Sequence, residues 1–306
     1  MGFFDLQVNG FAGIDFNAGT LDAEAVEVMC ARLLQYGVDG ILVTLITDSL
    51  PFMAARLKRL VQLQRELPLL RKVMRGFHIE GPFINPADGY RGAHPADAVL
   101  TADTSAMQEL LDAADGLTRL VTLAPECDPG LKVTRMLADS GVVVSAGHSN
   151  ASIDILKAAI DAGLTMFTHL GNGCPSSVPR HDNIIHRVLS LRERLWLCFI
   201  ADGAHIPFFA LKTYLDLVGT DRAIVVTDAM AGASMGPGRY RLGRLELEIG
   251  EDLIARSPGG SYLAGSTITM EGSLQNLTAE LGFSKEIAWK LVSENPRRSI
   301  GEPDPV

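Results

Sequence analysis

In three places this chain ends an apolar, β-prone run on a carboxylate or an imidazole: GFHIEGPFIN around Glu80, VVVSAGHSNAS around His148 and MFTHLGNGCP around His169. One Glu and two His at the ends of three strands form the ligand set of a catalytic Zn²⁺ that keeps an open position for water. A fourth run, AIVVTDAMAG, ends on Asp228, which can act as the general base toward such a water; a cap on the following turn is its plainer reading. Together the four residues point to a metal-dependent hydrolase. His205 in IADGAHIPFF is a candidate for substrate contact, against purely local hydrogen bonding. His94 in YRGAHP is another, against an ordinary surface loop. His181 and His186 read as structural or exposed. Gln7 and Asn9 end the first apolar run, and Glu126 ends the fourth, where it either joins the site or supports its rim. Only the second run, ending at Thr44 and Thr47, lacks an ionisable or amide residue.

The elements that must carry these residues follow from periodicity. Strand-like runs at 5–9, 39–46, 75–80, 119–126, 142–148, 165–170, 195–202 and 223–228 alternate with amphipathic stretches such as 21–37 and 151–163. Gly37 and Gly163 sit where helix C-termini favour glycine. Eight near-continuously apolar strands alternating with helices predict an α/β fold, a (β/α)8 TIM-type barrel forming a single domain over 1–306. In such a barrel catalytic residues come from the C-terminal ends of different strands. The stretch 239–264 alternates apolar and charged residues and predicts a β-hairpin insertion, followed by helices at 269–282 and 284–294.

Composition narrows the function classes. A chain of 306 residues with 47% hydrophobic content can bury one large core. A formal net charge of −9 and no basic patch argue against nucleic acid as a partner, although a few local Arg and His residues suffice to bind one phosphate. Cys30, Cys127, Cys174 and Cys198 are scattered, with no C-x-x-C pair, which suits a reducing cytoplasm. The start MGFFDLQVNG lacks a signal-peptide pattern, and the run VDGILVTLI is too short to span a bilayer, so no membrane partner is expected.

The segments DLQVNGFAG, HIEGPF, GAHP, SAGHSNAS, THLGNGCP, IADGAHIP, VTDAMAG and LAGSTITM, in this order, resemble the N-acetylglucosamine-6-phosphate deacetylases of the amidohydrolase superfamily. The resemblance runs from about residue 5 to residue 301. It implies that Glu80, His148 and His169 are metal ligands, that Asp228 is the general acid/base, and that His94 and His205 contact substrate. Arg180 falls where the family has an arginine for the sugar phosphate, which in some members reaches in from the neighbouring subunit. Asn172 and Gly173 match a turn near that phosphate. Gln7-Val8-Asn9 stands where many amidohydrolases carry His-x-His and a second metal. Amides are poor ligands for Zn²⁺, so the resemblance implies the variant with one divalent ion, zinc.

Two departures accompany it. Relatives pair an N-terminal segment with the C-terminus in a small β-sandwich, and here strand 1 begins almost at residue 1 and the chain stops just after ENPRRSIG, so that accessory domain is expected to be lacking. The loop GNGCPSSVPRHDNIIHR also differs from the family beyond its Asn and Pro. The implied activity is removal of the acetyl group from N-acetylglucosamine 6-phosphate, giving glucosamine 6-phosphate and acetate. Another N-acyl sugar or small amide, or a non-catalytic phosphosugar-binding barrel, are the alternatives. The expected partner is a phosphorylated N-acetylated amino sugar, with a homodimer required if Arg180 acts across subunits.

Overall fold

A computed structural model describes residues 2–260 and 262–302. The residues 1, 261 and 303–306 of the expected 1–306 domain lie outside the described residues, residue 261 within the expected insertion. Eight strands, β1 (Phe3–Val8), β2 (Val38–Ile46), β3 (Met74–Glu80), β4 (Thr118–Leu123), β5 (Val143–Ala146), β6 (Leu164–Phe167), β7 (Trp196–Ile200) and β8 (Ala223–Val226), pair in chain order as one parallel sheet. Helices separate them and pack on the outside. A single bridge, Val8 to Ala229, joins the first strand to the last, so the sheet rolls into a nearly closed TIM-type barrel. The carboxylate of Asp5 substitutes for part of the missing ladder, accepting from the N–H of Gln7 and of Thr227, each at 3.2 Å, and from the Thr227 hydroxyl.

The helices start where short polar side chains satisfy free backbone N–H groups. Asp22 caps Ala23–Gln35, Ser152 caps Ile153–Asp161 and Thr269 caps Met270–Ala279. Gly37 and Gly163 follow the first two in the left-handed region, at φ 73° and 112°. Inside the barrel Phe4, Leu6, Leu42, Leu120, Met166, Ile200, Ile224 and Val226 form one apolar cluster. Its N-terminal mouth is closed by the chain's own end. Ile300 joins the cluster, and the buried Arg297 guanidinium lies over the Phe4 ring at 4.6 Å and pairs with Asp39.

From β4 onward the strands are shorter than the apolar runs. The later runs predict strands reaching 148, 170 and 228, whereas the strands end at Ala146, Phe167 and Val226. Beyond the last barrel strand, β9 (Gly238–Leu242) and β10 (Leu245–Ile249) form an antiparallel hairpin, joined by β11 (Ala255–Arg256). Leu242, Leu247 and Ile249 pack on Ile46, Met230 and Ala264, which sets the hairpin over the barrel mouth. The expected helix at 284–294 is an α-helix at Lys285–Trp289 followed by a π-turn at Lys290–Glu294. Among the described residues no helix is long and apolar enough to cross a membrane.

Candidate active site

Glu80 is the last residue of β3, whereas His148, His169 and Asp228 each lie two residues beyond the end of their strand. All three of these take left-handed backbone, with φ of 51°, 33° and 52°. For a residue with a Cβ this costs ~1–3 kcal/mol and persists only where surrounding contacts dictate it. The backbone reversal turns the three side chains in over the barrel axis.

The ligand atoms of Glu80, His148 and His169 lie within 4.8 Å of one another. Glu80 Oε1 faces His148 Nε2 at 3.2 Å and His169 Nε2 at 3.0 Å, while Oε2 accepts from Gln7 Nε2 at 3.1 Å. The donor set fits a divalent cation on a specific observation. His148 Nδ1 lies 2.8 Å from the Tyr90 carbonyl oxygen, an acceptor only, so Nδ1 carries the proton. A neutral His148 then directs an Nε2 lone pair at a carboxylate oxygen. Two acceptors face each other, and a cation relieves this. Without one, protons on the imidazoles do so. Burial alone would raise the Glu80 carboxyl, but hydrogen bonds from His148 and His169 hold it well below the usual range. Burial alone would lower His169, and its contact with Glu80 instead raises it. A metal entering such a cluster displaces those protons.

Around the cluster, Asp228 Oδ1 accepts from Asn9 Nδ2 at 2.7 Å. Burial pushes its carboxyl up to about 6, the Glu80 charge adds to this, and His169, His205 and Asn9 act against it. His94 Nδ1 receives the Thr47 N–H at 3.3 Å and lies 2.7 Å from the Thr47 hydroxyl, which leaves the proton on Nε2, inside the cleft. Burial, with His148 next to it, lowers His94 to about 3, so it is a neutral donor at ordinary pH. His205 Nδ1 donates to Asp202 at 2.7 Å, leaving Nε2 for the cleft. Among the described residues, Asn172 Nδ2 is buried without a hydrogen-bond partner.

These residues line a solvent-open cleft of about 240 Å³ that contains every candidate ligand, catalytic and substrate-contact residue singled out from the sequence except Gln7, Glu126 and Arg180. Gln7 sits beneath, on Glu80. Arg180 is exposed on the 171–183 loop and makes no hydrogen bond or ion pair among the described residues. Its neighbour Asp182 pairs with Arg187. His181 is exposed, and His186 is bound to Asn183 and the His181 carbonyl. Sequence reasoning missed Thr47, Asp202 and the Tyr90 carbonyl, each of which fixes a histidine tautomer. The first two left a trace. Thr47 ends the only strand run without an ionisable or amide group, and Asp202 lies three residues before His205. A backbone carbonyl leaves none.

No protein-family model matches the sequence. The chain is 32% identical to the N-acetylglucosamine-6-phosphate deacetylase of Bos taurus, covering 98% of itself and 74% of that protein. The chain belongs to the N-acetylglucosamine-6-phosphate deacetylase family. It is also 30% identical to the N-acetylgalactosamine-6-phosphate deacetylase of Escherichia coli O157:H7, over 98% of this chain and 77% of that one. Among solved structures, a mutant Mycobacterium smegmatis N-acetyl-D-glucosamine-6-phosphate deacetylase in complex with N-acetyl-D-glucosamine-6-phosphate superposes with a TM-score of 0.89 and 31% identity, over 99% of this chain and 77% of that one. The family is one of amide-hydrolysing enzymes, and the superposition shows that the barrel is common to this chain and the solved deacetylase.

Proposed function

We propose that this chain is a zinc-dependent hydrolase that removes the acetyl group of N-acetylglucosamine 6-phosphate, giving glucosamine 6-phosphate and acetate. The observation that carries this reading is the Glu80–His148–His169 cluster facing Asp228 across one cleft, in a chain about one-third identical to such deacetylases over almost its whole length. Glu80, His148 and His169 would hold one divalent ion, and two nitrogens with one carboxylate suit zinc. Bound there, such an ion would supply Lewis-acid chemistry, lowering the pKa of a water toward ~7 and polarising an acyl carbonyl. Asp228, steadied by Asn9, takes the proton of the attacking water and returns it to the leaving amine. His94 offers its Nε2–H to the acyl oxygen as negative charge develops there. His205, Asn172 and the Gly173 turn bind the sugar and its phosphate.

We assign Arg180 to the phosphate of a neighbouring subunit's site, because in its own chain it is exposed and lies outside the cleft. This reading requires a homodimer. The described residues read as a single barrel domain in which the hairpin is an insertion. Four free cysteines are in keeping with a cytoplasmic enzyme.

The galactosamine epimer is a second reading, favoured by relatives named N-acetylgalactosamine-6-phosphate deacetylase at 30% and 32% identity, level with the glucosamine enzymes. The test is amine release from both phosphorylated sugars and from unphosphorylated N-acetylglucosamine, using protein reconstituted with zinc. Highest kcat/KM on the glucosamine 6-phosphate derivative, with one zinc per chain, is the expected outcome. No release from either phosphorylated sugar would overturn the reading.

A further inference from the structure

Strand β4 supplies no member of the Glu–His–His cluster, yet it lies between β3, which carries Glu80, and β5, which leads to His148. Its run continues into the short turn Pro125–Cys127, where Glu126 reaches to both sides. On one side Glu126 Oε1 accepts from Asn85 Nδ2 at 2.9 Å, five residues after Glu80. On the other, Oε1 accepts from the Asn150 N–H and Oε2 from the Ser149 hydroxyl at 2.7 Å, in the two residues after His148. The Asn85 N–H in turn donates to the His148 carbonyl at 3.0 Å and closes the ring. The residue enclosed by these contacts is His148, in left-handed backbone at φ 51°.

We propose that Glu126 is a positioning residue for the metal site. Its carboxylate ties the loop after Glu80 to the turn after His148 and so holds His148 in the backbone conformation that presents Nε2 to the cation. The inference rests on the metal reading of the Glu80–His148–His169 cluster. Glu126 has no ion-pair partner among the described residues, and its three donors are neutral, so it acts through hydrogen-bond geometry. Glutamine can reproduce that geometry. Its Oε1 can accept from Asn85 and Asn150 while its Nε2 donates to the Ser149 oxygen, which can equally serve as acceptor. Alanine removes all three contacts and leaves the Asn150 N–H without its acceptor.

The test is the Zn²⁺ dissociation constant of metal-stripped protein, measured by competition with a chromophoric chelator well below the unfolding temperature. Glu126→Ala is expected to weaken zinc binding by ~10–100-fold, the range for groups that orient metal ligands, and Glu126→Gln by less than about threefold. Asn85→Ala, which removes one of the three donors to Glu126 together with the acceptor of the Ala87 N–H, should weaken binding in the same direction and keeps the test open if Glu126→Ala does not fold. Wild-type affinity in Glu126→Ala or Asn85→Ala, even with lowered thermal stability, would show that the ring serves only the fold and would overturn the proposal. A Glu126→Gln defect as large as that of Glu126→Ala would overturn it too, by showing that charge matters rather than geometry. Wild-type protein that takes up no zinc would instead remove the metal reading, and this inference with it.

Discussion

Asp5→Asn should change how the stability of this barrel depends on pH. Asp5 is 2% exposed and stands at the seam between β1 and β8, where its carboxylate holds the N–H groups of Gln7 and Thr227. Burial pushes its carboxyl up to about 7, against the opposing effect of the hydrogen bonds from Thr227 and Gln7. Because the folded value lies above the unfolded ~3.9, the stability linked to this group is fullest below ~3.9 and is lost as pH rises through about 7. At roughly 1 kcal/mol or slightly more per pH unit between the two values, the penalty grows from on the order of 1–2 kcal/mol at pH 5 to about 4 kcal/mol at pH 8. The asparagine oxygen can keep both N–H contacts, and its amide can donate to the Thr227 hydroxyl, which can then turn toward the Gln7 carbonyl at 3.5 Å. The second amide hydrogen is left unpaired, a cost that does not vary with pH and cancels in the comparison. Relative to wild type, Asp5→Asn should therefore gain roughly 2–3 kcal/mol between pH 5 and pH 8. Urea unfolding of both proteins in excess chelator, followed by circular dichroism and tryptophan fluorescence, measures this. Stability profiles that stay parallel over that range would mean that Asp5 ionises normally in the fold, and would refute the burial argument.

Asp228→Asn should retain zinc, since it leaves Glu80, His148 and His169 intact, and should lower kcat by ~10²–10⁴-fold; near wild-type turnover would remove Asp228 from proton transfer. Thr47→Val deletes the hydroxyl that lies 2.7 Å from His94 Nδ1 and should lower kcat by ~10-fold or more with zinc content unchanged, an outcome that single-turnover rates and metal analysis check together. In Gly173→Ala the new Cβ would stand 3.0 Å from His148 Nδ1 at a backbone φ of 61°, so zinc affinity should fall; chelator competition giving wild-type affinity would show that the loop yields instead. Arg180→Ala should raise KM for the phosphorylated sugar far more than for its unphosphorylated analogue, because Arg–phosphate contacts are strong and often bidentate; an unchanged ratio would take Arg180 out of the phosphate site.

The apolar runs and their intervening amphipathic stretches were enough to recover all eight barrel strands in order, because a strand buried on both faces must be apolar throughout and a covering helix must be apolar on one side. The residue types at the run ends were equally readable: a carboxylate or imidazole closing an apolar strand stands out against its neighbours. The boundaries were not. His148, His169 and Asp228 read as strand residues, but they lie in left-handed turns two residues past the ends of their strands. Nothing in the hydrophobic pattern distinguishes a strand's last residue from a turn that still packs on the core.

What the sequence alone determined, then, is the order of the strands, the apolar layers and the chemical types gathered at one mouth of the barrel. Each follows from local composition, since burial and periodicity are properties of neighbours along the chain. Tertiary structure decided which of those groups meet and in what protonation state. Asn9 reaches Asp228 across 219 residues, and Asp5 reaches Thr227 across 222 to close the barrel. Thr47 sets the tautomer of His94, and the Tyr90 carbonyl that of His148. Arg180, which the family resemblance placed near the phosphate, is exposed on the 171–183 loop and lies outside its own cleft. Hydrogen bonds have direction and reach only ~3 Å, so their partners depend on how distant segments pack, which sequence spacing does not record.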